Sequence, residues 1–264
     1  MRQQDTICDF STSDSWVVLS PIEQSIKKKI EAVGTLLKDW DIQINYGIKT
    51  GCNEAFIIST EKRKEILDNC QTEDERKRTA ELIRPILRGR DIKKYGYVEN
   101  GLFLINTHNG IRGKLPRIDI NDYPAVKAHL DRYWDKISAR ADKGDTPYNL
   151  RNCAYLEDFN KPKIIYPDIC TFLSFELDTS CFYLSNTAYF LITEKEEHLK
   201  YFLRVLNSSV MDWYYRTLSV QLGEKAVRMF SIYVLNIPIP PISDEPIEEI
   251  LKLSKEEKLF ISGS

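Results

Sequence analysis

The spacing of the apolar residues changes repeatedly along the chain, and this alternation constrains the fold more than any other feature of the sequence. Over residues 20–38 apolar side chains recur every three or four positions, which predicts an amphipathic helix. Residues 42–46 alternate with a period of two, which predicts a strand. Helical and strand patterns follow one another to the C-terminus, so the sequence predicts a mixed α+β fold.

The other elements follow from the same patterns. A second strand at 55–58 after a glycine-bearing loop predicts a hairpin with the first strand. Thr72 and Glu75 form a capping-box pattern, which predicts a helix that runs to Leu87 and stops at Gly89. The remaining predictions are a tight hairpin over 97–105, a helix over 125–137, several strands over 164–192, helical structure over 194–218 and a short charged helix over 245–260.

Composition excludes several classes of protein. Of the 264 residues, 42% are hydrophobic and 29% are charged, as in an ordinary globular domain. No apolar run approaches the roughly 20 residues of a membrane span, and the first residues lack a signal peptide, which predicts a cytoplasmic protein with no membrane partner. Reduced thiols are expected, since no C-x-x-C pair occurs among Cys8, Cys52, Cys70, Cys153, Cys170 and Cys181.

The basic residues are concentrated in one part of the chain. Between residues 76 and 117, which we call the basic stretch, there are eleven Lys and Arg and three acidic residues. The local net charge is therefore +8, in a chain of net charge −2. Such a distribution is typical of a polyanion-binding surface, although a solvated helix face is the alternative. The interleaved Tyr95, Tyr97 and Phe103 have a spacing that favours a place in the core. The basic residues are Arg76, Lys77, Arg78, Arg84, Arg88, Arg90, Lys93, Lys94, Arg112, Lys114 and Arg117.

Catalytic motifs are incomplete or missing. A PD-(D/E)-x-K nuclease needs two carboxylates for a divalent ion and a lysine, but Asp168 is followed by Glu176 and then by Asp178 in the lysine position. An amino-methyltransferase needs a glycine-rich loop for its cofactor and an Asn/Asp-Pro-Pro-aromatic motif, and neither is present. We therefore expect no catalytic and no metal-binding residue. A nuclease built on Asp168, Glu176 and Asp178 is kept as an alternative.

A further functional hypothesis comes from Gly110-Ile111-Arg112-Gly113. These residues have the spacing of the G-x-x-G loop that clamps RNA. Two glycines three positions apart are common by chance, so a basic loop is the favoured interpretation. An RNA-binding or protein-interaction module is the corresponding alternative function.

Two motifs about thirty residues apart carry a family resemblance. They are GIKTGCNEAFII at 47–58 and ILRGRDIKKY at 86–95. With them, LNSS at 206–209 and LNIPIP at 235–240 are similar to the end of the recognition domains in type I specificity subunits. Residues 40–242 thus resemble the TaqI-like C-terminal specificity domain of restriction-modification enzymes.

The resemblance implies sequence-specific recognition of double-stranded DNA, with no chemistry in this chain. It implies a target-recognition domain with a β-rich core at 40–242, a connector helix region at 1–39 and a C-terminal helix at 243–264. An adenine-N6 methyltransferase domain, and in some members a nuclease, would lie upstream or in a separate chain. We expect no cofactor here, because S-adenosylmethionine would bind the methyltransferase domain. The sequence is interpreted as a fragment or a separately encoded subunit.

The expected DNA contacts lie on the two motifs and the basic stretch. In the first motif, Gly47 and Gly51 let the backbone turn tightly beneath polar side chains. The alternative is that the glycines only shape a hairpin and that Asp91 pairs with an Arg to organise the turn. The expected contacts are Lys49, Thr50, Asn53, Arg84, Arg88, Arg90, Lys93, Lys94, Arg112 and Lys114.

Overall fold

The computed structural model describes residues 19–219, 221–222 and 225–263. Helices and strands both occur along these ranges, which confirms the α+β class. The helices are α1 (Pro21–Val33), α2 (Asn53–Phe56), α3 (Thr60–Asp68), α4 (Glu73–Leu82), α5 (Pro124–Asp131), α6 (Trp134–Ala139), α7 (Glu197–Leu206), α8 (Ser209–Leu218), α9 (Ser231–Val234), α10 (Ile247–Ile250) and α11 (Lys255–Gly263). No helix in this part of the chain is long and apolar enough to cross a bilayer.

The strands are short, and several have only two residues. They are β1 (Thr35–Leu36), β2 (Gln43–Tyr46), β3 (Ile57–Ser59), β4 (Ile83–Leu87), β5 (Ile92–Lys93), β6 (Gly96–Tyr97), β7 (Leu102–Ile105), β8 (Lys163–Pro167), β9 (Ile169–Cys170), β10 (Glu176–Asp178), β11 (Tyr183–Leu184), β12 (Ala188–Ile192), β13 (Gln221–Leu222), β14 (Ala226–Arg228) and β15 (Pro238–Ile239). Single 3-10 turns lie at Leu37–Asp39, Gly89–Asp91, Ile120–Asp122 and Leu156–Asn160.

The chain divides into two compact units, each made of discontinuous stretches. Unit 1 takes its residues from Met1–Ile42, Ile169–Ser174 and Thr193–Ser264, and unit 2 from Gln43–Asp168 and Phe175–Ile192. The segment predicted to form the recognition domain contributes to both units. The functional boundaries at 1–39, 40–242 and 243–264 stay a prediction, and Cys8 lies outside the described residues.

Unit 2 contains two four-stranded sheets. The first has the order β10-β8-β12-β2 with antiparallel neighbours. The second has the order β11-β4-β7-β3, in which β11 and β4 are parallel. Helices α3 and α4 pack on the second sheet, and α5 packs on α3. The interior is apolar and includes the fully buried side chains of Phe56, Leu104, Val126, Phe159, Ile165 and Phe190.

Unit 1 is mainly helical. In α7 the buried residues Leu199, Phe202 and Val205 recur every three positions, which places them on one face. Ser208 then separates α7 from α8, and its hydroxyl accepts a hydrogen bond from the Met211 N–H at 3.2 Å. Short strands complete the unit as the pair β1-β15 and the sheet β13-β14-β9.

The first helix is shorter than its apolar pattern. Ser20 caps it with a capping box to Glu23, but α1 ends at Val33 instead of continuing to residue 38. Gly34 follows, and a Cβ added there would lie 2.4 Å from the Cβ of Pro238. The chain therefore leaves the helix where β1 pairs with β15.

The second helix also ends early. It begins after Thr72, whose hydroxyl accepts a hydrogen bond from the Glu75 N–H at 3.1 Å. The prediction that it reaches Leu87 is wrong, because α4 ends at Leu82 and the chain continues as β4. Pro85 explains the difference, since proline inside a helix removes a hydrogen bond and clashes with the preceding turn.

Both predicted hairpins are wrong, and the strand predicted at 55–58 forms only from Ile57, since Ala55 and Phe56 belong to α2. Strand β2 pairs with β12 and β3 pairs with β7, so the two lie in different sheets. Likewise β6 pairs with β5, whereas β7 pairs with β3 and β4. A period-two pattern identifies a strand and its buried face, but it does not identify the partner. The strands predicted over 164–192 form as β8 to β12, and the helical structure over 194–218 forms as α7 and α8. The single helices predicted over 125–137 and 245–260 are each divided in two, as α5 and α6 and as α10 and α11.

Candidate nucleic-acid interface

The first motif lies beside a turn of unit 2 that joins β11 to β12. This turn, residues 185–188, is closed by the Ala188 N–H, which donates to the Ser185 carbonyl at 3.1 Å. The Gly47 N–H donates to the Ala188 carbonyl at 2.9 Å, and the Ile48 N–H donates to the Leu184 carbonyl at 2.6 Å. The 47–53 loop is therefore bonded to the 185–188 turn.

The second motif holds the same turn from the opposite edge. The Ser185 N–H donates to the Leu87 carbonyl at 2.9 Å, and the Gly89 N–H donates to the Thr187 hydroxyl at 2.9 Å. The Leu184 carbonyl and the Ser185 N–H belong to one trans peptide group, so they point in opposite directions. Because each serves a different motif, the two motifs flank the turn.

Two motif glycines make this approach possible. A Cβ on Gly47 would lie 2.0 Å from the Ser185 carbonyl oxygen, and a Cβ on Gly89 would lie 2.1 Å from the Thr187 carbonyl oxygen. Any side chain at either position would displace the turn. Gly51 has a different task, since its φ of +69° is in the left-handed region that favours glycine.

The polar residues of the first motif divide into one organising and two exposed groups. Thr50 is only 1% exposed. Its hydroxyl donates to the Asn53 Oδ1 at 2.6 Å and accepts from the Cys52 N–H at 3.2 Å, so it shapes the loop from inside. Lys49 is exposed, with its ammonium 3.0 Å from the Asp142 carboxylate. Asn53 is exposed at the start of α2.

A buried arginine supports this loop. The Arg140 guanidinium donates to the Thr50 carbonyl and, at 2.6 Å, to the Asn149 carbonyl. It also stacks 4.4 Å from the ring centroid of Phe56, and its burial lowers its pKa to about 10. Sequence patterns do not single out Arg140, because it lies outside the basic stretch.

In the second motif, Arg88 is held by Asp91. Its Nε and Nη2 each donate to the Asp91 carboxylate at 2.9 Å, and its backbone N–H donates there at the same distance. Asn100 adds a fourth hydrogen bond at 2.8 Å. Burial acts to raise the pKa of Asp91, but the bonds from Arg88 outweigh it and hold this pKa below its ordinary value. Arg88 and Asp91 therefore form the turn-organising pair that was the alternative to a DNA contact.

Arg84 is also engaged within the fold. It lies half-buried on β4, with its guanidinium carbon 5.6 Å from the ring centroid of Tyr183. Its Nη2 donates to the Asn160 Oδ1 at 3.3 Å, and its Nε has no hydrogen-bond partner among the described residues. Its position favours packing against Tyr183 over contact with a ligand.

The basic hairpin, residues 90–97, presents three cations to solvent. Strands β5 and β6 pair through Lys93 and Gly96. Arg90, Lys93 and Lys94 are exposed, and within the described ranges none has a carboxylate within 4 Å. The Lys93 ammonium donates to the Arg90 carbonyl at 2.7 Å, which keeps these two residues together.

The tip of the basic hairpin carries an aromatic residue in an unusual conformation. Tyr95 has a φ of +56° and is 56% exposed, which contradicts the expected place in the core. Its N–H donates to the Phe175 carbonyl at 3.1 Å, and its ring lies 6.0 Å from the Lys94 ammonium. Tyr97 does pack inward, edge-on to Phe182 at 5.0 Å. A left-handed tyrosine costs about 1–3 kcal/mol, and such strain is concentrated at functional sites.

The G-x-x-G sequence forms a loop of its own. This glycine loop, residues 108–118, borders a cleft of about 880 Å³. Gly110 and Gly113 have φ values of +76° and +75°, so both glycines serve the backbone. The Ile118 N–H closes the loop by donating to the His108 carbonyl at 3.1 Å.

Most cations of the glycine loop are paired. Lys114 forms an ion pair with Glu157, and the Arg117 Nη1 lies 3.7 Å from the Asp145 carboxylate. Arg112 is exposed, with no carboxylate within 4 Å among the described residues. Of the expected contacts here, Arg112 is therefore free and Lys114 is neutralised.

The carboxylates of the nuclease alternative do not form a metal site. Asp178 is fully buried, 2.5 Å from the Lys163 ammonium, and it accepts hydrogen bonds from the N–H groups of Ser180 and Phe182 at 2.8 and 3.0 Å. These partners occupy the oxygens that would bind an ion. Within the described ranges, no three His, Cys, Asp or Glu side chains are grouped to hold a metal.

Two half-buried cysteines carry no reactive thiolate. Burial raises the pKa of Cys153 to about 11 and that of Cys170 to about 12. Since the thiolate is the nucleophile, both are inert near neutral pH. Among the described residues, the free thiols are Cys52, Cys70, Cys153, Cys170 and Cys181.

The fold and the site define a recognition module, in which a β-rich scaffold holds cations around one turn. Comparison with known families refines this class. The model of the TaqI-like C-terminal specificity domain matches residues 84–239, more than half of the chain, and the chain belongs to this family. The resemblance carried by the two motifs is confirmed, and so is target recognition as the function of the domain.

Curated relatives are type II methyltransferases. The chain is 23% identical over 237 residues to M.PaeR7I of Pseudomonas aeruginosa, matching 89% of this chain and 38% of that protein. It is 22% identical over 222 residues to M.BanIII of Aneurinibacillus aneurinilyticus, matching 81% of this chain and 37% of that protein. The chain thus spans less than two fifths of the length of these relatives.

Solved structures share the fold. The type IIG restriction endonuclease BpuSI matches with a TM-score of 0.55 and 16% identity, covering 90% of this chain and 27% of that one. The type IIL restriction-modification enzyme MmeI, solved in complex with DNA, matches with a TM-score of 0.55 and 15% identity. The match covers 77% of this chain and 25% of that one. At these identities the likeness describes the architecture.

Proposed function

We propose that this chain recognises a specific sequence in double-stranded DNA for a restriction-modification methyltransferase. The observation that carries the proposal is the meeting of both family motifs at the 185–188 turn, beside cations without carboxylate partners. Such cations gain most from displacing the counterions of phosphates, and held polar groups beside them can read base edges.

We assign the expected contacts different roles according to their exposure and ion pairing. Arg90, Lys93 and Lys94 contact phosphates from the basic hairpin, since they are exposed and unpaired in the part of the chain that is described. Exposed polar groups elsewhere add Lys49, Asn53 and Arg112. Thr50, Arg84 and Arg88 act from inside the fold, and Lys114 becomes a contact only when it leaves Glu157.

In this proposal the methylation reaction is carried out by a partner methyltransferase domain. The matched relatives are named methyltransferases and are more than twice as long as the aligned region. We assign adenine-N6 methylation and S-adenosylmethionine to a methyltransferase domain upstream or in a separate chain. The protein then works in the cytoplasm, where its DNA substrate is found.

The experiment is a salt titration of duplex binding by this chain. With about six phosphate contacts, affinity should fall on the order of 10³-fold between 50 and 200 mM salt. Binding that does not depend on salt, tighter binding to single-stranded DNA or RNA, or no binding at low salt would contradict the proposal. Calorimetry should detect no S-adenosylmethionine binding, and micromolar affinity would contradict the assignment of the cofactor to the partner.

A further inference from the structure

The residue at the centre of the 185–188 turn has an unused side chain. Asn186 is exposed, and within the described ranges its amide makes no hydrogen bond. Its neighbours are engaged, because the hydroxyls of Ser185 and Thr187 bond to each other at 2.8 Å. Asn186 therefore offers a free donor and a free acceptor at the position where the two motifs meet.

The backbone does not explain an asparagine at this position. Asparagine is favoured where φ is positive, but the only non-glycine residues with positive φ among the described ones are Tyr95, Cys181 and Lys252. Ser185 occupies the first position of the turn, where small polar residues are preferred, and Asn186 occupies the second, which accepts most residues. The fold thus makes no demand on the Asn186 amide.

The backbone that carries this amide is held from both edges of the turn. The Leu184 carbonyl is bonded to the first motif and the Ser185 N–H to the second. The Asp168 N–H adds a hydrogen bond to the Thr187 carbonyl at 3.0 Å. A side chain on a backbone held at this many points starts from a preorganised position, which reading a base requires.

The charges around the turn suit a nucleic acid. Lys49 follows Ile48, which is bonded to one edge of the turn, and Arg90 follows Gly89, which is bonded to the other. Arg90, which has no carboxylate within 4 Å among the described residues, can contact a phosphate beside the amide, and Lys49 can do so once it leaves the Asp142 carboxylate 3.0 Å away. Of the bases, adenine in the major groove presents the donor and acceptor pair that one asparagine amide complements.

We infer that Asn186 reads an adenine in the DNA target, its Nδ2 donating to N7 and its Oδ1 accepting from the N6 amino group. This inference rests on the proposed function and adds to it the residue that reads the DNA and the base that is read. Sequence patterns do not single out Asn186, since it lies about a hundred residues beyond the second motif and outside the basic stretch.

The test is selection of bound duplexes from a randomised library by this chain, followed by sequencing. Asn186→Ala should lose an adenine preference at one position of the selected motif. On the best parental site its affinity should fall roughly 5- to 150-fold, with affinity for random duplex within about twofold of the parent. Asn186→Asp should instead favour cytosine, because a carboxylate accepts from the cytosine N4 amino group.

Controls separate the two proposals. Asn69→Ala removes another exposed asparagine side chain of unit 2 and should leave the selected motif unchanged. Thermal melts check that each variant folds. If the parent selects no sequence, the proposed function and this inference both fall. If the parent selects a motif and Asn186→Ala selects the same one, or weakens all sequences equally, only the inference falls.

Discussion

The basic hairpin and the glycine loop belong to one basic stretch of the sequence, but they hold their cations differently. In the hairpin, Arg90 and Lys93 have no carboxylate within 4 Å in the described part of the chain. In the loop, Lys114 and Arg117 face Glu157 and Asp145. The local charge of +8 therefore overstates what a polyanion can use, because a paired cation must first give up its partner.

The two regions also differ in backbone strain. The glycine loop places Gly113 at its left-handed position, with a φ of +75°. The basic hairpin places Tyr95 at a φ of +56°. Glycine adopts this conformation without a steric penalty, whereas tyrosine does not. The hairpin thus retains a strained aromatic side chain where a glycine would fold more easily, as expected when the side chain has a task.

The largest effect should come from removing the support of the basic hairpin. Asp91→Ala leaves the guanidinium of Arg88 without its carboxylate in a partly buried position. We expect the free energy of unfolding to fall by about 3 kcal/mol, since breaking a buried ion pair costs more than the pair contributes. Denaturant unfolding measures this, and DNA affinity should fall with it because the turn carries Arg90.

The matched control is Asp145→Ala, which removes the ion-pair partner of Arg117 in the glycine loop; the Asp145 carboxylate is 66% exposed against 4% for Asp91. We expect the free energy of unfolding to fall by less than about 1 kcal/mol in this variant. The pH dependence follows from the lowered pKa of Asp91. Its contribution is present above the unfolded pKa of about 3.8 and is lost as the pH falls through the folded value. Equal losses of unfolding free energy in Asp91→Ala and Asp145→Ala would remove the distinction between the two regions.

The next largest effect concerns DNA affinity. Arg90→Ala with Lys93→Ala removes two unpaired cations, so the slope of log affinity against log salt should decrease by about two units. Affinity at 0.1 M salt should fall on the order of 10- to 100-fold. Lys114→Ala with Arg117→Ala removes the same two residue types from the loop and should change the slope by less than about one unit. A reversed order of the two double variants would assign the DNA contact to the glycine loop.

The comparison also shows what the sequence could predict. The family, the α+β class and the capped helix starts were predictable, because motifs and caps such as Ser20 and Thr72 are local. Strand partners were not, since a two-residue period carries no information on distant pairing. The same limit applies to the site: the sequence placed both motifs near DNA, but not their meeting at the 185–188 turn. It did not distinguish Arg88, held by Asp91, from Arg90, which is free.

A smaller effect should follow from exchanging the backbone preferences of the two regions. Tyr95→Gly should raise the free energy of unfolding by about 1 kcal/mol, because it relieves a left-handed conformation. Gly113→Ala should lower it by a similar amount, since a Cβ there meets no atom within 4 Å and only the backbone is strained. If Tyr95 contacts DNA, Tyr95→Gly should be more stable and yet bind duplex more weakly. A variant that is stabilised and binds like the parent would leave Tyr95 without a role at the interface.

The smallest effect tests whether the ion pairs of the glycine loop keep it from DNA. Glu157→Ala removes the partner of Lys114, and both side chains are largely exposed, so stability should change by less than about 0.5 kcal/mol. If the loop lies away from DNA, duplex affinity should stay within about twofold of the parent. If Lys114 contacts a phosphate, the substitution frees its charge, and affinity should rise with the salt slope steeper by about one unit. A salt titration of Glu157→Ala beside Glu157→Gln, which removes the charge and keeps the size, therefore decides whether the loop joins the basic hairpin in binding.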